Sequence, residues 1–335
     1  MRHRRFRQIL IAAAIAGITA PAAFAFLAEA AKDRTADFLE EIRSAQDRVR
    51  FAGRRRIETP EGSTVLDLRS DRPGRVHVDP VSRPSGRRSS GFGGRGRRFS
   101  DPALIVENYR LDPRGAERIA GREAERYALI PRHAGRSSYE FAVDTRTRFL
   151  LAFRSVGSDG ARLYDARFES IEFDPPSKAE EKPAKPAAPR SDPDRPRRVL
   201  RERVTEDDLR RAMPFTVWRP SWAPAGFRRR SLERYRIRDL GEAVLERWSD
   251  GMSGIFIVQT SAANPAWELF RGAYLGLPET PPAAPPGEGP VAWRMRHPGG
   301  ALLDLTLDDT EILISGQVDP ADLKKMADHL RNLDR

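Results

Sequence analysis

The chain has 335 residues, 59 Lys and Arg against 48 Asp and Glu for a net charge of +11, 39% hydrophobic residues and no cysteine. Without cysteine there is no disulfide, no lipid-modified N-terminal cysteine and no thiolate for a metal or a nucleophile. Five dispersed histidines (His3, His77, His133, His297, His329) show no metal-ligand spacing, and the length fits two domains.

The N-terminus has the three parts of a secretory signal: basic residues 1–8, an apolar run over 9–20 and a small-residue stretch. Cleavage is expected after Ala25, with Ala30 as the alternative site. The apolar run is shorter than the roughly 20 residues needed to span a bilayer. Residues 1–25 carry four Arg and no acid, so the charge falls from +11 to +7 on processing. For an exported basic protein the anionic partners are lipid head groups, acidic glycolipid and acidic protein segments, not nucleic acid.

An amphipathic helix is predicted over 37–49, and the pattern then changes to short strands at 49–59, 63–70 and 75–80. Residues 83–98 hold six Arg and no acid and read as a flexible basic loop. The string Gly91-Phe-Gly93-Gly-Arg-Gly96 within it fits a dinucleotide fingerprint, but no strand leads into it. Further strands are predicted at 118–131, 137–144, 148–156 and 162–173, with a turn at Asp159-Gly160. Phe51, Ile57, Leu66, Leu68, Tyr127, Phe141, Phe149, Leu151 and Phe168 can gather on one face of such a sheet, as the lining of a ligand cavity or as a filled core.

Residues 174–196 are rich in Pro, Ala and charge and cannot pack a core, which makes them an interdomain linker. A helix follows at 206–213, where Thr205 caps and Asp208 sits three residues on. Trp218-Arg-Pro-Ser-Trp222-Ala-Pro-Ala-Gly226-Phe227 then pins a turn between large apolar side chains. Trp248-Ser-Asp250-Gly251 signals a hairpin leading into the strand Ile255-Phe-Ile-Val258. Strands are predicted at 291–296, 302–307 and 311–315, and Asp319-Pro320 opens a last helix with a stripe of Leu323, Met326, Ala327 and Leu330.

The Pro-x-Gly-Phe turn and the Trp-Ser-Asp-Gly strand together resemble the C-terminal domain of the MucB/RseB family, periplasmic proteins that regulate a membrane-bound anti-sigma factor. The first half resembles the family too, through Gly121-Arg-Glu-Ala124, Tyr127 to Pro131, Tyr139 to Asp144, Phe149-Leu-Leu151 and Arg162 to Phe173. The resemblance implies an α+β protein. It comprises an N-terminal curved antiparallel half-barrel with covering helices, similar to the lipoprotein carriers of the periplasm, a Pro-rich linker, and a smaller C-terminal α+β domain with an antiparallel sheet. The boundaries expected are 1–25 for the signal, 33–174 for the half-barrel, 175–200 for the linker and 201–335 for the second domain. The family's linker is expected to be shorter and less rich in Pro than this one.

No Gly-x-Ser-x-Gly elbow is present, and Glu40-Glu41 and Glu180-Glu181 fall on a helix and in the linker, so no enzyme, cofactor or metal site is expected. The expected function is negative regulation of an extracytoplasmic sigma factor pathway through binding the periplasmic segment of an inner-membrane anti-sigma factor. The half-barrel would sense lipid, glycolipid or misfolded envelope protein. The alternative is a periplasmic lipid or lipoprotein carrier. Trp218, Trp222, Phe227 and Trp248 are candidates for partner contact, each also able to serve as core.

Overall fold

The computed structural model describes residues 20–60, 62–72, 75–82, 99–175, 199–237, 241–264, 267 and 300–333. The N-terminal part of the expected signal, the basic segment 83–98, nearly all of the linker and the strand expected at 291–296 lie outside them.

The first sheet has eight antiparallel strands: β1 (Phe51–Thr59), β2 (Gly62–Arg72), β3 (Arg75–Ser82), β4 (Tyr109–Ile119), β5 (Arg122–Pro131), β6 (Ser138–Asp144), β7 (Leu150–Val156) and β8 (Arg162–Phe173). They run in the order β3-β2-β1-β8-β7-β6-β5-β4, an open sheet with β3 and β4 at its edges. Because β1 pairs with β8, residues more than a hundred positions apart become neighbours, among them Phe51 with Phe173 and Arg55 with Phe168. Helix α1 (Ala20–Arg48) lays Leu39 and Ile42 into the sheet, both fully buried, and α2 (Pro102–Asn108) adds Leu104 and Ile105. α1 is continuous across the expected cleavage site at Ala25. Among the described residues no helix is long and apolar enough to cross a membrane.

The strand predicted over 118–131 is two strands. Ala120 and Gly121 both take positive φ (49° and 79°), so the chain reverses there between β4 and β5 in a two-residue turn of the kind antiparallel twist favours. Helix α2 and most of β4 were not foreseen. Asp101 caps α2 by accepting from the Leu104 amide at 3.1 Å, with Pro102 at the first helical position, yet the helix is too short to impose a helical period on the sequence.

The second sheet runs β14-β15-β13-β12-β11-β9, from β9 (Val199–Arg203), β11 (Arg228–Ile237), β12 (Gly241–Ser249), β13 (Gly254–Ser261), β14 (Ala301–Leu307) and β15 (Thr310–Gly316). β10 (Trp218–Pro220) and β16 (Leu330–Asn332) form a separate two-stranded ribbon. One face of β13 and β15 enters the core, where Ile255, Ile257, Ile312 and Ile314 are all buried completely, and Leu313 is buried on the other face of β15. Two helices complete this half. In α3 (Glu206–Ala212) the expected capping box forms, with Asp208 N donating to Thr205 Oγ1 at 3.2 Å and Thr205 N donating to Asp208 Oδ2 at 2.9 Å. α4 (Pro320–Asp328), capped by Asp319, buries Leu323 and Met326. The architecture is therefore α+β, a larger open antiparallel sheet beside a smaller one.

Candidate functional site

The two family-like motifs of the second half meet the first sheet. In the Pro-x-Gly-Phe turn, Phe227 N donates to Pro224 O at 3.0 Å and Gly226 stands at φ 83°. A side chain on Gly226 would overlap the Oδ1 of Asn108, so the glycine serves both the turn and the approach of a residue from the other half. Gly251, at φ 100°, does the same in the Asp-Gly hairpin: a Cβ there would lie 2.8 Å from the Ile105 amide nitrogen in the middle of α2.

Asn108, at the end of α2 and only 4% exposed, shares the two hydrogens of Nδ2 among the carbonyls of Leu104, Gly226 and Asp250, each at 3.0 Å. Next to it Tyr109 donates its hydroxyl to Asp250 Oδ2 at 2.7 Å. The other carboxylate oxygen of Asp250 accepts from the amides of Met252 at 2.9 Å and Ser253 at 2.6 Å, which closes the hairpin. Tyr139, from β6, lies 2.7 Å from Ser253 Oγ. All five polar groups are buried and each is satisfied, which is the condition under which a buried polar network stabilises. Burial, with Tyr139 and the Asp250 carboxylate nearby, pushes the Tyr109 hydroxyl far above the usual phenol range, so it remains a donor.

A second anchor is Arg136. Its Nη1 donates to Asp322 Oδ2 on α4 at 2.8 Å and its Nη2 to Ala225 O at 3.2 Å, while its guanidinium lies 4.8 Å from the centre of the Phe227 ring. Arg228 to Glu107 and Arg230 to Asp101, both 2.6 Å, close the rim on the exposed side. The joint between the two sheets is thus a polar, hydrogen-bonded core with an ionic rim.

The four aromatic candidates for partner contact fall in different settings. Phe227 is buried beneath Arg136. Trp218 and Trp248 are half-buried against the second core, and Trp218 donates its amide to Gln259 Oε1 at 2.8 Å. Trp222 is half-buried against the same core, with Lys325 Nζ 4.4 Å from its ring centre. Of the nine candidate cavity residues, Phe51, Leu68, Phe149, Leu151 and Phe168 pack into one cluster, with Phe51 4.8 Å from Phe149 between ring centres. Phe141 and Tyr127 stack at 5.5 Å in a different cluster, beneath α1. Ile57 and Leu66 remain half-buried.

A cavity of about 490 Å³ opens between α3 and β11, lined by Thr205, Glu206, Asp207, Arg229, Arg230 and Ser231. Behind it Glu246 is buried, and this burial pushes its carboxyl up to about 7 despite Arg229 at 3.6 Å. Glu233 shows the opposite balance: burial pushes it up, but the two-pronged contact with Arg201 (2.7 and 2.6 Å) and the Tyr235 hydroxyl hold it down to about 2. Among the described residues no group of three His, Asp or Glu is placed to hold a metal ion.

Asn108, Tyr109, Arg136 and Tyr139 carry the joint from the first half, and none was singled out from sequence for that role. The only signal was the Asp-Gly and Pro-x-Gly pair itself, whose glycines mark close approach without naming what approaches.

Residues 95–188 match the family model for the MucB/RseB N-terminal domain. No curated protein matches the sequence. Among solved structures, MucB in complex with MucA(peri) shares the fold with a TM-score of 0.54 at 18% identity, over 89% of this chain and 98% of that one. The Pseudomonas aeruginosa MucA/MucB complex gives 0.54 and 18%, over 89% and 99%. MucB solved alone gives 0.50 and 17%, over 90% and 98%. Residues 95–188 are thus similar to the MucB/RseB N-terminal domain, and the chain as a whole has the fold of these MucB structures.

Proposed function

We propose that the protein is a periplasmic negative regulator of an extracytoplasmic sigma factor pathway, acting by binding the periplasmic segment of an inner-membrane anti-sigma factor. The observation that carries this reading is the two-sheet fold along nearly the whole chain, which it shares with a MucB solved in complex with MucA(peri). It works by occupancy: a bound segment is shielded from site-specific proteolysis, and no bond is made or broken by the regulator. The leader ends near Ala25 and delivers the mature chain to the periplasm.

Release of the partner requires a ligand that binds one arrangement of the two halves better than another, because only a difference in affinity moves such an equilibrium. The Tyr109, Asp250 and Arg136 contacts define the arrangement such a ligand would have to favour or oppose. Among the aromatic candidates Trp222 is the proposed partner contact, because the indole nitrogens of Trp218 and Trp248 are enclosed and Phe227 is already covered by Arg136.

The test is co-purification of the mature chain with the periplasmic segment of the cognate anti-sigma protein, followed by limited proteolysis of that segment. Protection by the mature chain supports the reading. A segment that neither binds nor gains protection refutes it. If the mature chain instead extracts stoichiometric acyl lipid and ignores the segment, it is a carrier.

A further inference from the structure

Sulfur chemistry in this chain is confined to five methionines, because it has no cysteine. Three of them stand among the described residues, and they differ in what their side chains touch. Met326 on α4 is fully buried in the second half's core. Met213, half-buried, packs against the cluster of Leu209 and Phe215 in the same half. Met252 is also half-buried, yet it leaves the Asp-Gly hairpin of the second half and packs against the first half's core cluster, which holds Leu39, Ile42, Ile105 and Tyr109. It is therefore the one described methionine that joins the two halves.

The backbone around Met252 is held on both sides. Its amide donates to Asp250 Oδ1 at 2.9 Å, and a Cβ on the preceding Gly251 would overlap Ile105. The hydroxyls of the joint are already committed: Tyr109 donates to Asp250 Oδ2, and those of Tyr139 and Ser253 share a bond of 2.7 Å. A thioether suits such a place, since it is apolar and adaptable and its sulfur demands no hydrogen bond. A sulfoxide does not. Its oxygen is a polar acceptor that stays without a donor, draws a tyrosine hydroxyl away from Asp250 or Ser253, or turns out to water and takes the side chain with it. Each of these weakens the arrangement in which Met252 is inserted relative to one in which it is withdrawn.

We propose that Met252 is a site of reversible oxidation through which a two-electron oxidant of the peroxide class loosens the joint. One peroxide oxygen is transferred to the sulfur, the thioether loses two electrons to become a sulfoxide, and the other oxygen leaves as water. The return step needs a dithiol-dependent methionine sulfoxide reductase, which restores the thioether and releases water while the dithiol becomes a disulfide. Loosening of this kind belongs to the two halves of the chain itself and does not depend on an anti-sigma segment.

The experiment exposes the mature chain to hydrogen peroxide, maps sulfoxide at Met213, Met252 and Met326 by mass spectrometry, and follows amide hydrogen exchange over 101–109 and 249–254. Met252 should oxidise at least about tenfold faster than the enclosed Met326. Exchange should then rise about tenfold or more in both segments together, because they lie on opposite sides of the joint. Methionine sulfoxide reductase with dithiothreitol should return both segments to the untreated rate, and a rise that repair leaves in place counts against the site. Met252→Leu, which conserves side-chain volume, should show parental exchange before peroxide and no rise after it. The assignment is overturned if Met252 oxidises no faster than Met326, if its sulfoxide leaves exchange over 101–109 unchanged, or if peroxide loosens the joint equally in Met252→Leu. Met252→Gln tests the same point without oxidant, should the leucine variant pack poorly. It should raise exchange in both segments, and parental exchange there would mean that a polar group is tolerated and that oxidation has nothing to act on.

Discussion

Replacing Tyr109 by Phe removes one oxygen and nothing else from the centre of the joint. The ring, only 1% exposed, keeps its packing against Tyr139 at 5.7 Å between centroids. What is lost is the 2.7 Å bond to Asp250 Oδ2, which is then left buried with no donor. A hydrogen bond to a charged group contributes about 1.5–3 kcal/mol, and abandoning its buried acceptor falls at the upper end of that range. At roughly 2–4 °C per kcal/mol for a protein of this size, Tyr109→Phe should lower the melting temperature by about 4–10 °C in differential scanning calorimetry. Asp250→Asn alone should also be costly, because its carboxylate accepts from two hairpin amides as well. The double variant should cost less than the sum, since the pair shares one bond. Arg230→Ala, which breaks the rim contact to Asp101 with Arg230 half-exposed, provides the control and should change stability by no more than about 1 kcal/mol. A Tyr109→Phe shift no larger than that of Arg230→Ala, or strict additivity with Asp250→Asn, would mean the two halves do not depend on this bond.

Three other outcomes follow from particular residues. Glu246 has a folded pKa of about 7 against an unfolded value of 4.5, so its contribution is fully present below pH 4.5 and is lost as pH rises through 7. The loss is roughly 2–4 kcal/mol at 1.36 kcal/mol per unit, and Glu246→Gln should flatten the decline in denaturant midpoint between pH 5 and 8; an unchanged slope would count against it. Gly226→Ala combines a positive φ with overlap on Asn108 Oδ1, so it should cost more than the ~1 kcal/mol of the backbone strain alone and should loosen the joint, seen as faster proteolysis between the halves. Trp222→Ala should leave the far-ultraviolet dichroism and melting temperature near parental while weakening capture of the anti-sigma segment; loss of folding would make it core.

Local residue composition made several elements legible in advance. β13, β14 and β15 are visible in Ile255 to Val258, Leu302 to Leu307 and Glu311 to Ser315, because short runs rich in β-branched and other apolar residues fit a buried pleated strand. The caps at Thr205 and Asp319 were legible for a similarly local reason: a side chain satisfies amides two or three residues away. β11 was not, since its run Arg228-Arg-Arg-Ser-Leu-Glu-Arg-Tyr-Arg-Ile237 is dominated by charge that the fold neutralises through Arg201 with Glu233 and Arg234 with Glu242. The turn at Ala120-Gly121 was hidden by a β-like pattern on both sides of it, and a sheet residue reads alike on either arm of a hairpin.

By itself the sequence determined a cysteine-free basic chain with a Pro-rich break, an antiparallel α+β pattern on each side of it, and two glycine-bearing motifs in the second half. Those properties are local, set by residue type and by spacings of a few positions. Only the tertiary structure decided that the motifs form a joint with the first sheet, that Asn108 and Tyr109 reach across to Gly226 and Asp250, and that Met252 packs against the core of the first half. Each of these depends on partners separated by about a hundred residues or more. No local spacing encodes such a pairing, and it exists once β1 has found β8 and the two sheets have met.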